Sequence, residues 1–243
     1  MKLTEIANDE RIKCLVYGEA GTGKTCFGCS FPTPIFVADF DGKINSSARF
    51  HSHERVSQID FEDFRLGRKD DRPFDRFEKS LVELETASKA GKLPFQTVVV
   101  DSLTQYADAM LKELMHRNPT NRFKQNLPSQ QDYHIFSIEF KNFLMRILAL
   151  ECNVVVTAHI QIIKDDLTGE ILRMPQLPGS KLPKWLPVAF EEVYRTFTKM
   201  SQSKIGYFAQ TQADNMYACR SQIPELPGII PLSYNELTID RRK

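Results

Sequence analysis

The sequence predicts an α/β fold: a mostly parallel central sheet flanked by helices, with a β-rich antiparallel extension at its C-terminal end. Three observations carry this. Strand-length runs such as Thr97–Asp101 (TVVVD) and Asn153–Ile160 (NVVVTAHI) are apolar without alternation, as in strands buried on both faces. Segments with apolar residues at helical spacing separate them, giving the strand–helix alternation of a parallel sheet. Beyond Gln161 the helical spacing gives way to short strand-like stretches, and proline recurs from Pro224 to Pro231.

The elements follow in order. Arg11–Tyr17 (RIKCLVY) is a buried strand running into a glycine-rich loop and then a short helix. Phe31–Pro34 (FPTP) breaks the chain before a second strand, Ile35–Asp39, and Arg55–Phe61 is expected as a third. Phe74, Phe77, Leu81, Leu84 and Ala87 or Ser88 mark a helix that Gly91 and Pro94 end. After the strand Thr97–Asp101, the positions Leu103, Tyr106, Ala107, Met110, Leu111 and Leu114 define another amphipathic helix. His116–Leu127 reads as a loop. Ser129 with Asp132 is a capping pair for a helix to about Leu150, with Phe136, Phe140, Phe143, Leu144, Ile147 and Leu148 inward. A hairpin is expected over Ile162–Met174, and antiparallel strands over Val193–Lys199, Ile205–Gln210 and Met216–Arg220. The whole chain, 1–243, is read as one domain, with a core over 11–160, a β-rich part over 161–232 and a short tail over 233–243.

The totals exclude several classes. A chain of 243 residues with 42% hydrophobic and 26% charged residues suits a globular protein. No apolar run approaches the roughly 20 residues of a membrane span. The first residues show no apolar signal segment, so a cytoplasmic setting is expected. The formal net charge of +1 does not announce a nucleic-acid partner, so any basic patch must be local. The five cysteines form no disulfide framework, and the pair Cys26 and Cys29 lacks the second pair of a zinc site. Packing on the helix after the glycine loop is the simpler role for both.

The stretch YGEAGTGKTC holds the pattern GxxxxGK[ST], placed between a strand and a helix. Gly18, Glu19, Ala20, Gly21, Thr22 and Gly23 form a loop whose backbone N–H groups can turn inward around a phosphate, and Cys26 closes the segment. Lys24 would reach the β and γ oxygens of a triphosphate, and the Thr25 hydroxyl would coordinate Mg²⁺. A second metal carboxylate is expected at the end of an apolar strand, and Asp101 supplies it, with Asp39 and Asp41 as other candidates. ATP and Mg²⁺ are the expected ligands.

Absent motifs narrow the machine. There is no Asn-Lys-x-Asp loop for guanine and no Leu-Ser-Gly-Gly signature of transporter ATPases. Many helicases follow the metal Asp with Glu, but here the next residue is Ser102, so a general base must come from another strand. YGEAGTGKT, FVADFDG, VVVDSLTQ and VVVTAHI together resemble the core motifs of RecA/KaiC-type ATPases. That resemblance implies a RecA-like P-loop NTPase core with Asp41 as the catalytic acid–base residue and Asp39 as the alternate, although the usual residue is Glu. It also implies that His159, beside Thr157, senses the γ-phosphate. FPTPIFVADFDG and DDLTGEILRMPQLPGSKLPKWLPVAFEEVYR are further similar to phage-encoded RecA-like ATPases, some of which anneal single strands in recombination. The similarity spans roughly Arg11 to Leu232.

The resemblance implies a homo-oligomer (ring or filament) on single-stranded DNA, in a host cytoplasm if phage-encoded, with a single-strand-binding protein as a further partner and no membrane. Two loops interleave cations with aromatics as a single-strand groove requires. One carries Arg117, Arg122, Phe123 and Lys124; the other carries Lys164, Arg173, Lys181, Lys184 and Trp185. Hydrolysis at subunit interfaces would need a neighbour's cation, for which Arg220 is the candidate, followed by Lys199 and Lys204. A KaiC-like nucleotide switch without a DNA role is the alternative.

Overall fold

The computed structural model describes residues 11–65, 72–117, 127–164, 169, 171–202 and 204–238. Among the described residues, ten strands and four principal helices order the chain. Strand β1 (Lys13–Gly18) leads into helix α1 (Lys24–Gly28) and strand β2 (Ile35–Asp39). Strand β3 (Ile59–Asp63) precedes helix α2 (Pro73–Lys89), strand β4 (Thr97–Asp101), helices α3 (Leu103–Arg117) and α4 (Gln130–Leu148), and strand β5 (Asn153–Ala158). The remaining strands are β6 (Ile160–Lys164), β7 (Ile171–Pro175), β8 (Glu192–Ser201), β9 (Lys204–Gln210) and β10 (Ile229–Pro231).

Eight strands form one sheet in the order β10-β9-β8-β1-β5-β4-β2-β3, and β6 with β7 forms a separate hairpin. The pairs among β3, β2, β4, β5, β1 and β8 are parallel, whereas β9 and β10 join antiparallel. This is the expected mostly parallel sheet with antiparallel C-terminal strands. Strand β5 separates β1 from β4, so the glycine loop and Asp101 end up on strands that do not touch.

Successive valines of each unbroken run point to opposite faces, so both faces carry apolar cover. Val98, Val100, Val154 and Val156 face a cluster containing Phe77, Leu81, Tyr106, Phe140 and Phe143, drawn from α2, α3 and α4. Val99 and Val155 face the opposite cluster, with Phe27 of α1, Phe31, Tyr194 and Ile230. Helix α4 begins where its capping pair places it: Ser129 and Asp132 close a reciprocal capping box. An aromatic knot binds the helices to the sheet edge. Phe40 packs on Phe64, Phe77 and Tyr106 at ring separations of 5.1, 5.2 and 5.4 Å.

Two expected strands differ. The segment expected as strand Arg55–Phe61 opens instead with a helical turn, His53–Val56, capped by Ser52, and the strand starts at Ile59. The N-cap hydrogen bond from Arg55 N–H to the Ser52 hydroxyl satisfies the backbone locally and delays pairing with β2. Met216–Arg220 makes only isolated bridges, Tyr217 to Arg173 and Arg220 to Val193. The third antiparallel partner is Ile229–Pro231, whose edge position tolerates the proline.

Phe140 is fully buried, with Phe136 and Phe143 rings 5.5 and 6.3 Å away. Phe140→Ala is expected to lower the unfolding free energy by about 3–5 kcal/mol, measured by urea denaturation.

Candidate functional site

The C-terminal ends of the parallel strands gather the chemistry, as the topology of open α/β sheets favours. Asp39, Asp63 and Asp101 stand side by side in register at the ends of β2, β3 and β4. The glycine loop lies at the corresponding end of β1, packed hard against β8. A Cβ on Gly18 would come within 2.4 Å of Thr196 Oγ1, and Gly23 sits at φ +90°, where side chains are strained. Thr22 fixes the loop from within, bonding to the Glu19 carbonyl at 2.8 Å and to the Thr196 hydroxyl at 2.6 Å.

Beside this loop opens a cavity of about 610 Å³, a size that suits a small-molecule ligand. Ala20, Gly21, Gly23, Lys24, Thr25 and Cys26 of the loop line it, with Asp41, Asp101 and His159 of the strand ends. Gly18, Glu19 and Thr22 shape the loop from behind. Lys24 is buried, and its ammonium donates to the Gly18 and Glu19 carbonyls at 2.9 and 2.8 Å. Burial pulls its pKa down, against the pull of Asp101 and Asp41.

Asp101 is the most constrained group. Its Oδ2 accepts from the Thr25 hydroxyl at 2.6 Å and its Oδ1 from the Thr157 hydroxyl. Burial pushes its carboxyl up, the two hydroxyls oppose this, and the charges of Asp41 and Asp39 add to the push. A cation placed between Thr25 and Asp101 would offset that burial. Among the described residues no three His, Cys, Asp or Glu side chains form a metal cage. The hydroxyl and carboxylate oxygens of Thr25 and Asp101 are donors of the kind a hard ion such as Mg²⁺ takes, its shell completed by water and phosphate.

The two acid candidates do different work. Asp41 lies in the cavity wall, accepting from Ser102 Oγ at 2.6 Å on Oδ1, with His159 Nε2 at 2.9 Å from Oδ2. Burial favours its protonated form, but the bonds to His159 and Ser102 outweigh it and hold the carboxyl below its ordinary pKa. Asp39 turns the other way and accepts backbone N–H groups from Gly42, Lys43 and Ile44, at 2.6, 3.3 and 3.3 Å. Burial raises its pKa despite these bonds. Asp41 thus faces the cavity, and Asp39 holds the turn that presents it.

His159 also joins the site to the hairpin. Its backbone N–H donates to Thr104 Oγ1 at 3.0 Å and its carbonyl accepts from Gln176 N–H at 2.8 Å, at the point where β6 and β7 meet the core.

The other candidates lie apart from this cavity. Arg220 is exposed, with its guanidinium bonded to the Val188 and Phe190 carbonyls. Arg117 pairs with Glu113 and Asp75. Arg173 stacks over Tyr217 at 5.6 Å, while Lys181, Lys184 and Trp185 occupy a helical turn packed beside β7. The Trp185 face is covered by Lys141 at 4.9 Å. Arg122, Phe123 and Lys124 lie outside the described residues.

Sequence reasoning missed the far flanks of the cavity. Phe50, His51 and Arg55 line it from the segment after β2, and Tyr207, Leu232 and Asn235 line it from β9 onward. Exposed Phe50 and Tyr207 offer ring faces for a flat heterocycle. Neither segment carries a motif, and Tyr207 reaches the loop only through the pairing of β9 with β8. Lys43 was missed likewise.

A family model described as AAA domain matches residues 10–222. No curated protein matches the chain in sequence. Among solved structures, the KaiC-like protein PH0186 from the hyperthermophilic archaeon Pyrococcus horikoshii OT3 aligns at a TM-score of 0.43 and 14% identity, over 82% of this chain and 76% of that one. Among the described residues no helix is long and apolar enough to cross a membrane.

Cys26 is the partly exposed cysteine, whereas Cys14, Cys29, Cys152 and Cys219 are buried. Burial pushes the Cys29 thiol up to about 12, and Cys26 is raised by partial burial. A thiol reagent is expected to label Cys26 alone in the native protein, slowly at neutral pH, and Mg²⁺ with ATP should protect it. Peptide mapping of the labelled cysteine checks both statements.

Proposed function

Because the chain belongs to this AAA-domain family, we propose that it is a Mg²⁺-dependent ATPase whose turnover is linked to single-stranded DNA. The observation that carries the ATPase reading is the convergence of Lys24, Thr25, Asp101, Asp41 and His159 on one cavity. The loop and Lys24 hold the triphosphate. Thr25 and, through water, Asp101 would hold Mg²⁺, which when bound neutralises phosphate charge. Asp41 accepts a proton from water as the water oxygen bonds to the γ-phosphorus. The bond from that phosphorus to the β–γ bridging oxygen breaks, and the electron pair leaves with ADP. Ser102 and His159 hold the carboxylate in place while it takes the proton. That support matters because Asp is one methylene shorter than Glu.

The DNA reading rests on resemblance and on one connection. His159 bonds to Asp41 and also anchors the hairpin that carries Arg173, beside the turn with Lys181, Lys184 and Trp185. A strand lying along that hairpin would be felt at Asp41 through one residue. Oligomerisation in a ring or filament and a role in phage-type annealing or strand exchange belong to the same proposal. The alternative is a nucleotide switch that orders an assembly without DNA. It is favoured by the engagement of both Asp41 oxygens by Ser102 and His159, which suits slow hydrolysis.

ATP turnover with and without single-stranded DNA separates the two. DNA stimulation of the wild type, lost in Lys24→Ala together with nucleotide binding, supports the first; turnover indifferent to DNA at low salt supports the switch. Asp41→Asn is expected to keep ATP affinity and lose turnover by about 10²–10⁴-fold, the range of a general base. Wild-type turnover in that variant would remove Asp41 from the chemistry.

A further inference from the structure

Lys43 stands two residues beyond Asp41 on the wall of the same cavity. Its backbone is pinned: Asp39 accepts the N–H groups of Gly42, Lys43 and Ile44, and Gly42 turns the chain at φ +70°. The turn therefore sends the side chains of Asp41 and Lys43 toward one space while Phe40 is locked into the aromatic knot. Lys43 Nζ lies 3.6 Å from Asp41 Oδ2, with 58% of the side chain exposed. It keeps the freedom to leave that carboxylate. Lys24 lines that cavity as well. Two ammonium groups facing one cavity repel unless an anion lies between them, and the γ-phosphoryl group is such an anion.

We propose that Lys43 is a catalytic cation supplied in cis, moving from Asp41 to the non-bridging γ-phosphoryl oxygens as charge develops on them. The proposal rests on the ATPase reading of the same site. Lys43 forms no covalent bond; it donates N–H to an oxygen whose charge grows while the bond to the bridging oxygen breaks. Its departure also relieves Asp41 of one cationic neighbour as that carboxylate takes the water proton. Two of the other cations considered are engaged elsewhere within the chain. Arg220 bonds to the Val188 and Phe190 carbonyls, and Lys199 stacks near Phe197 and Phe208 at 5.4 and 5.7 Å.

The test compares Mg²⁺ with ADP against Mg²⁺ with ADP and aluminium fluoride, a mimic of the transferring phosphoryl group. Binding and ATP turnover are measured on wild type, Lys43→Ala, Lys43→Arg and Lys24→Ala. Lys43→Ala is expected to bind ADP as the wild type does, to bind the mimic about 10²-fold more weakly, and to lose about 10²–10³-fold in turnover at every protein concentration. Lys43→Arg should recover part of both, because it restores the charge. Lys43→Ala with undiminished affinity for the mimic overturns the proposal, and so does a loss confined to turnover, which would mean that Lys43 only positions Asp41. Wild type that binds no ADP, or Lys24→Ala that binds it fully, overturns the nucleotide reading beneath it.

Discussion

The hydrogen bonds on the two oxygens of Asp101 are the constraint on which the site depends. A carboxylate buried at the end of a central strand carries a desolvation penalty of several kcal/mol unless its lone pairs are satisfied. Here Thr25 satisfies one oxygen from the start of α1, and Thr157 satisfies the other from the neighbouring strand β5. The penalty thereby becomes a positioning device. It ties the helix after the glycine loop to two strands, although β1, which leads into that loop, does not pair with β4.

A second carboxylate works by the opposite logic. Asp39 ends strand β2 in register with Asp101, yet it is spent on backbone N–H groups and holds the tight turn that follows. Asp41, two residues on, is bonded by side chains instead, and those side chains come from β4's end (Ser102) and β5's end (His159). One strand end thus yields one acid bonded to backbone and one bonded to side chains, separated by a phenylalanine that packs into the aromatic knot. The division of labour follows from which donors each carboxylate meets.

Much of this was legible in the residues. The unalternating valine runs fixed β4 and β5 as central strands, because only a strand covered on both faces affords such composition. The glycine loop identified itself through its spacing, and Asp101 through its place after three valines. The motif stretch FVADFDG pointed to Asp41 and Asp39 but left their roles open, since spacing cannot say which carboxylate the backbone will claim. The delayed start of β3 and the replacement of Met216–Arg220 by Ile229–Pro231 at the sheet edge were not legible. Local capping decided the first, and long-range pairing with β9 decided the second.

The sequence by itself determined the mostly parallel sheet and the glycine loop with Lys24 and Thr25, because each rests on local pattern or on a motif, and it put Asp101 first among three candidate carboxylates. Tertiary structure alone decided that Asp41 meets Ser102 and His159, that Lys43 shares their cavity, and that Phe50 and Tyr207 flank it. The bond between Asp41 and His159 joins residues 118 apart along the chain, and no short-range regularity encodes it. Such contacts exist because parallel strands deliver their C-terminal ends to one edge, whatever the distance between them along the chain.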